Sequence, residues 1–373
     1  MTANAYYIHP IIAPVAEHFG VSDAMIGMVP ALNQLALALG ILLLLPLGDW
    51  LNNRRLVSIF SLGQFFSILG MAFSENYTLF VLSSTILGFF TIAPYIIPSY
   101  VSKRVAPERL GHATAIITMA TIVGILIARA GSGLIAEHFG WRIVYIVASC
   151  LMLSVTLVFP FLLEQGERTP GKQSYFGLLS SLPAIIRSSP HVFLSGVIQG
   201  LNFGGFLGIW MGIGLHLTSP EMGYGVDVVG YLAILALVNM YTTPKLGKWA
   251  DRIRPRRARF MISVIGSCAV FLYLFVGHNI WLLMIPILLS NIVGPTIDVS
   301  GRMITLAEPE NVRTRLMTVY IILMFVGGGI GSWVGTAAYD WGGWIGTVTA
   351  SFALTATATC LSAYSYYSQK QTQ

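Results

Sequence analysis

One arginine in this chain stands where an arginine is costly. Arg129 lies in Ile127-Ala128-Arg129-Ala130-Gly131-Ser132-Gly133, deep in an apolar run that starts at Gly111. At 1.5 Å per residue it sits about 27 Å along a helix, in the far half of a membrane span. A guanidinium at that depth can bind an anionic group of a solute or a carboxylate. It can also snorkel to the surface past the short Gly131–Gly133 tail, or pair with Glu137 or Asp340. Other polar residues share this apolar setting: Asn4, Tyr7, His9, Asn33, Gln34, Gln64, Gln199, Asn202, Asn239, Asn291 and Asp298. An amide in hydrocarbon must face protein or a wet cavity, and each alone is more often a helix–helix bond than a solute contact. His9 could titrate and carry a proton, although a lone histidine is usually structural. Asp298 precedes Arg302 by four residues, the spacing of a local ion pair.

A second kind of chemistry sits at the ends of apolar runs. Leu45-Pro46-Leu47-Gly48-Asp49-Trp50-Leu51-Asn52-Asn53-Arg54-Arg55 closes one run with an acid and two arginines. Gly247-Lys248-Trp249-Ala250-Asp251-Arg252-Ile253-Arg254-Pro255-Arg256-Arg257 repeats the design, with Asp251 202 positions after Asp49. Trp141 and Trp344 stand 203 apart. Two landmarks with one offset indicate two related halves. An Asp at a membrane exit is tolerable at a helix terminus or beside an Arg, and the basic residues beyond it hold the loop on one side.

The elements that carry these residues are membrane spans. Of 373 residues, 55% are apolar and only 10% charged, far below the quarter usual in soluble domains. Apolar runs long enough to span recur from end to end. The reading is six plus six: a first span shortened within residues 1–19, then 24–48, 56–73, 78–101, 111–136, 143–163, 192–217, 226–246, 260–276, 280–301, 316–339 and 344–366. The first would rise roughly 24 Å as a helix against a core of about 30 Å, as a misplaced start codon would produce. Pro94 and Pro98 should kink the fourth span. Residues 1–163 form the N-terminal bundle, 164–190 a polar linker broken by Pro170, Gly171 and Pro183, and 191–373 the C-terminal bundle.

Charge sets orientation. Lys and Arg are absent from alternate loops, 17–23, 74–77, 137–141, 219–225, 277–279 and 340–343. The basic side is then cytoplasmic, with both termini inside. The net charge of +6 is a topology anchor beside anionic headgroups and not a nucleic-acid footprint. Cys150, Cys268 and Cys360 fall in three separate apolar runs without motif spacing, which argues against disulfide and metal roles. No phosphate loop, metal-ligand spacing or Ser/His/Asp set supports an enzyme. Glycines recur every four residues in the seventh span (Gly196 to Gly212) and the eleventh (Gly327, Gly331, Gly335), which suits close helix packing and, beyond that, sliding.

These residues resemble the major facilitator superfamily, whose signature is Gly-x-x-x-Asp-Arg/Lys-x-Gly-Arg/Lys-Arg/Lys between the second and third helices, often repeated between the eighth and ninth. The second copy matches at Gly247, Asp251, Arg252 and the arginines after them. The first is degraded and keeps Asp49, Arg54 and Arg55. Tyr6-Tyr7-Ile8-His9-Pro10, Pro46-Leu47-Gly48-Asp49, Arg313-Thr314-Arg315-Leu316 and Gly327-Gly328-Gly329-Ile330-Gly331-Ser332 look like a bacterial efflux-type branch with twelve spans.

The resemblance implies an all-α membrane protein: two pseudo-symmetric six-helix bundles around a central cavity. It implies a secondary transporter of the bacterial inner membrane, exporting a small organic solute by proton antiport with alternating access. An uncoupled facilitator and a non-transporting sensor or truncated remnant are the alternatives. The family's cavity-lining helices are the first, fourth, seventh and tenth. The expected cavity set is Asn4, Tyr7, His9, Asn33, Gln34, Arg129, Gln199, Asn202 and Asn291. The resemblance also implies a cytoplasmic latch of Asp49, Arg54, Arg55, Arg109, Gly247, Asp251, Arg252 and Arg313, closed when the cavity faces outward; the plainer reading is that these charges only fix topology. Partners are the bilayer, the solute and protons, with a monomeric chain and no cofactor, metal or nucleic acid. Two departures argue against the usual drug–proton antiport mechanism. Ala128-Arg129 stands where a Gly-Pro motif is usual, and Ser84 where the fourth helix usually has an Arg.

Overall fold

In a computed structural model that describes residues 1–49, 51–102, 104–163 and 175–370, the chain is helical almost throughout. After a 3₁₀ turn at Thr2–Tyr6 come α1 (Ile12–Phe19), α2 (Asp23–Leu47), α3 (Asn53–Ala72), α4 (Tyr77–Pro98), α5 (Pro107–Phe139) and α6 (Trp141–Leu162). The second half has α7 (Tyr175–Ser188), α8 (Pro190–Leu217), α9 (Val226–Ile253), α10 (Pro255–Val276), α11 (Ile280–Leu306), α12 (310–341) and α13 (344–370). α12 and α13 run on with a break only at Gly342 and Gly343. Ten helices among the described residues are long and apolar enough to cross a membrane, one of them the α12–α13 pair. With the short α1 ahead of them, this is the expected layout of spans.

Sequence explains where the helices begin. Asn52, Asn76 and Asn279 accept hydrogen bonds from the first-turn amides of Arg54 (2.9 Å), Leu79 (2.9 Å) and Trp281 (3.0 Å), satisfying donors that a helix leaves open. Asn76 and Asn279 cap α4 and α11, the fourth span of each half, and carry the repeat into the structure. A further equivalence lies at the start of the sixth spans. Arg142 donates to the carbonyl of Ala72 (3.3 Å) at the end of α3, and the Trp344 indole to that of Tyr273 (3.1 Å) near the end of α10. The lipid-facing side is apolar: Phe66, Phe73, Ile127, Phe161 and Trp281 are all largely exposed, as a bilayer-embedded surface requires.

Two expectations need correction. The linker is not wholly irregular: α7 occupies its second half with Pro183 inside it. Its Ile185 packs with Val192 and Leu316, an apolar contact that offsets part of the cost of a proline inside a helix. Residues 164–174, with Pro170 and Gly171, lie outside the described residues. The eighth span runs on to Ile253, so Asp251 stands in the last helical turn instead of in a loop. The fourth span does break, between Phe90 and Ala93 just ahead of Pro94, whereas Pro98 lies inside the helical segment that follows.

The glycine stripes meet. A Cβ on Gly327 would fall 2.3 Å from the Gly200 backbone, on Gly331 2.2 Å from Gly204, and on Gly335 2.5 Å from Gly208. α8 and α12 therefore touch backbone to backbone, which only glycine allows.

Candidate solute cavity and its aromatic-walled arginine

α5 reaches across to the second half at its Arg-poor end. A Cβ on Gly133 would meet the Val226 carbonyl at 2.6 Å, and one on Gly230 the Arg129 carbonyl at 3.0 Å. Glu137 accepts a hydrogen bond from Val226 N at 3.0 Å, capping α9 from the other half. Beside this, Gly27 of α2 abuts Thr336, and Gly329 of α12 abuts Ala31 and Leu35. These contacts seal the end of the bundle that bears the Arg-poor loops.

On the basic side of that seal lies a cavity of about 260 Å³. The first half contributes Tyr6, Ile122, Ile125, Leu126 and Arg129. The second contributes Gln199, Asn202, Phe203 and Phe206 from α8, Ala236 and Asn239 from α9, Asn291 and Asp298 from α11, and Met324 from α12. Arg129 marks its outer limit, only 4% exposed. Its guanidinium lies 4.7 Å from the Trp210 ring centre and 5.1 Å from that of Tyr6, contacts that stabilise a desolvated cation by about 2 kcal/mol or more. One of its Nη groups donates to Nδ1 of His9 at 3.0 Å. Arginine only donates, so His9 Nδ1 is the acceptor and its proton sits on Nε2. His9 Nε2 and Arg129 Nε are both buried without a partner. Among the described residues no carboxylate lies within ion-pair distance of Arg129. Glu137 is engaged with α9, and Asp340 is exposed.

Asp298 is on the cavity wall, yet its carboxylate is occupied. Arg302 Nε donates to one oxygen at 2.8 Å and the Tyr320 hydroxyl to the other at 3.0 Å. This is the local pair that its spacing suggests, with a tyrosine added.

The expected cavity residues divide. Arg129, Gln199, Asn202 and Asn291 surround the cavity, with His9 behind Arg129. Asn33 donates to the Ser84 carbonyl at 2.7 Å, joining α2 to α4. Asn4 donates to Gln64 at 2.8 Å. Both are helix–helix bonds, the plainer use of an intramembrane amide. Gln34 is buried away from the cavity, and Tyr7 lines a lateral crevice between α5 and α6. Among the described residues the fourth span adds nothing to this wall; the fifth and eighth do. The spacing of Gln199, Phe203, Phe206 and Trp210 along one face of α8 was the available signal for the aromatic wall.

The expected latch residues are not gathered. Asp251 and Arg252 are exposed, with no ion pair between them or to Arg313. Arg313 donates to the Glu308 carbonyl at 3.0 Å. Arg54 lies over Phe161, Arg55 and Arg109 are exposed, and Gly247 is buried near Val299. The Asp49 side chain lies outside the described residues.

Lined by both halves and closed off by tight helix contacts on the side of the Arg-poor loops, this is the build of a membrane transporter. The family model of the Major Facilitator Superfamily matches residues 1–297 and again 242–371, and the chain belongs to that superfamily. It is similar to the uncharacterized transporter YgaY of Escherichia coli O157:H7, 26% identical over 93% of this chain and 88% of the relative. More distantly it resembles the purine ribonucleoside efflux pump NepI of Escherichia coli O127:H6, 23% identical over 58% of this chain and 53% of that one. Among solved structures, a bacterial homologue of the human lysosomal transporter Spinster, inward-facing and unoccupied, superposes with a TM-score of 0.76. It covers 98% of this chain and 93% of that one at 14% identity, a likeness of fold.

Proposed function

We propose that this chain is a secondary active transporter that exports a small organic solute by proton antiport, alternating the access of one central cavity. The observation that carries the reading is the cavity itself, walled by both halves and bounded by Arg129 at the sealed end. In such folds the halves rock about a site near the midplane, so a cavity spanning the interface is remade facing the other way. The basic side is the cytoplasm of a bacterial inner membrane, with both termini there, and the chain acts as a monomer. On that orientation the sealed end is the outer one and the cavity faces inward. Export follows from the efflux-type runs around Pro46 and Gly327, and the similarity to an efflux pump supports it. Asn33 and Gln34 serve this cycle as packing residues of α2, and the solute contacts fall to the cavity wall.

One observation favours a second reading, the uncoupled facilitator. Among the described residues the one carboxylate on the cavity wall is Asp298, held by Arg302 and Tyr320, and a carboxylate so engaged is a poor carrier of a proton exchanged for a solute. Purified protein in liposomes carrying a trapped pH dye separates the two. Antiport predicts a solute-induced change in lumenal pH that a protonophore abolishes. Solute flux with no pH change would leave the facilitator in its place.

A further inference from the structure

We infer that the solute is a small organic monoanion with a flat apolar body and a hydroxyl or amino donor at its far end, its anionic group held by Arg129. This rests on the transporter reading and names the substrate class of the same cavity. The argument is one of charge. Arg129 is buried on the cavity wall, and no carboxylate among the described residues lies within ion-pair distance of it. A buried cation left unpaired is strongly unfavourable. His9 does not relieve it: as an acceptor at Nδ1 it is neutral, and it serves to orient the guanidinium. Asp298 does not relieve it either, since Arg302 already balances that charge at 2.8 Å. Among the described residues the cavity wall therefore carries one uncompensated positive charge, with the Arg129 Nε–H buried and unpartnered. A carboxylate or other oxyanion supplies the missing charge and acceptor together, in the geometry a guanidinium recognises best.

The rest of the wall defines the remainder of the molecule. Phe203 and Phe206 present near-parallel rings, 15° apart with centroids 6.5 Å apart, and Tyr6 lies nearby on the same wall. Flat apolar surfaces of this kind receive a flat apolar body. Gln199 Oε1 and Asn239 Oδ1 are buried acceptors without donors. They call for an N–H or O–H on the ligand, because a ligand lacking one would leave them unpaired. A volume of about 260 Å³ suits a single-ring acid.

The test uses the full chain in lipid nanodiscs, read by tryptophan fluorescence and by thermal melting. The probes are 4-hydroxyphenylacetate, phenylacetate, which lacks the hydroxyl, and 4-hydroxyphenylacetamide, which lacks the charge. Saturable binding of the hydroxy acid is expected, with the amide weaker by about tenfold or more and phenylacetate in between. Arg129→Gln should bind acid and amide alike, whereas Arg129→Lys should keep a weakened preference for the acid. Equal binding of acid and amide by the unaltered protein, or no saturable binding of the acids up to the millimolar range, overturns the inference without recourse to any variant. Uptake into proteoliposomes separates this from the transporter reading. Arg129-dependent binding without uptake would keep the anion site and sink transport. Uptake of neutral or cationic solutes that Arg129→Gln leaves intact would do the reverse.

Discussion

A single backbone angle at the second signature copy records a departure that the sequence already contained. Where the family pattern has Gly, this chain has Arg254, and it adopts φ 75° and ψ 132°, the one positive φ outside glycine among the described residues. An L side chain is strained there, at a cost of about 1–3 kcal/mol. Glycine takes the same angles freely but gains entropy when unfolded, which offsets part of the benefit. Arg254→Gly is therefore expected to raise thermal stability by about 1 kcal/mol, seen as an upward shift in the melting of detergent-solubilised protein, while Arg254→Ala should not. A lower melting temperature for the glycine variant would mean that the arginine's contacts outweigh the strain. Arg129 teaches a related lesson. Its depth and its cost were legible in the sequence, because both follow from its place in an apolar run. Its surroundings were not: the Trp210, Tyr6 and His9 that frame it come from segments whose approach only the packed fold defines. Asn33 and Asn4, placed in the expected cavity set although a helix–helix bond was the commoner reading of each, show the same limit. An intramembrane amide signals that a partner exists, but not whether the partner is a solute or Ser84.

Elements were the most legible level. Spans are set by length and hydropathy, caps by Asn, and the break in α4 by proline, all of which are local. What sequence could not supply was which wall each helix forms, since a uniformly apolar span has no polar face to orient it. Hence α5 and α9, and not α4, flank the cavity among the described residues. The glycine stripes are an exception, because a small-residue face predicts its own contact. They also give a sharp test. A Cβ on Gly331 would stand 2.2 Å from Gly204 Cα, whereas one on Gly124 meets nothing within 4 Å. Gly331→Ala should thus cost about 1–3 kcal/mol through overpacking, and Gly124→Ala should be neutral or stabilising by up to about 1 kcal/mol through helix propensity. Melting curves of the two variants side by side measure this. Equal effects would show that α8 and α12 can part without penalty, contrary to the geometry.

For the molecule as a whole, the two ends of the bundle are in opposite conditions, and that asymmetry predicts how the equilibrium between its states responds to mutation. At the sealed end, Glu137 of one half caps the start of α9 in the other, where the positive end of the helix dipole favours a carboxylate. At the basic end, Asp251 sits in the last turn of that same helix, exposed, where the dipole disfavours an acid. One helix thus carries a satisfied acid contact at one end and an unsatisfied acid at the other. Rocking the halves would exchange these conditions: Glu137 would lose its cap, and Asp251 would gain a basic partner across the opening. Removing Glu137 should then favour the state open at the now-sealed end by about 1 kcal/mol, roughly fivefold in population. Asp251→Asn should favour the present state and slow transport while leaving membrane insertion intact. Spin labels on α5 and α9 near Glu137, read as distance distributions, report both shifts. The decisive protein is the double variant Glu137→Ala, Asp251→Asn. If the two acids act on one equilibrium, it should return toward the unaltered distribution and recover part of the lost transport. Distances in the double variant no different from those of Glu137→Ala alone would show that the signature aspartate serves only to fix the loop.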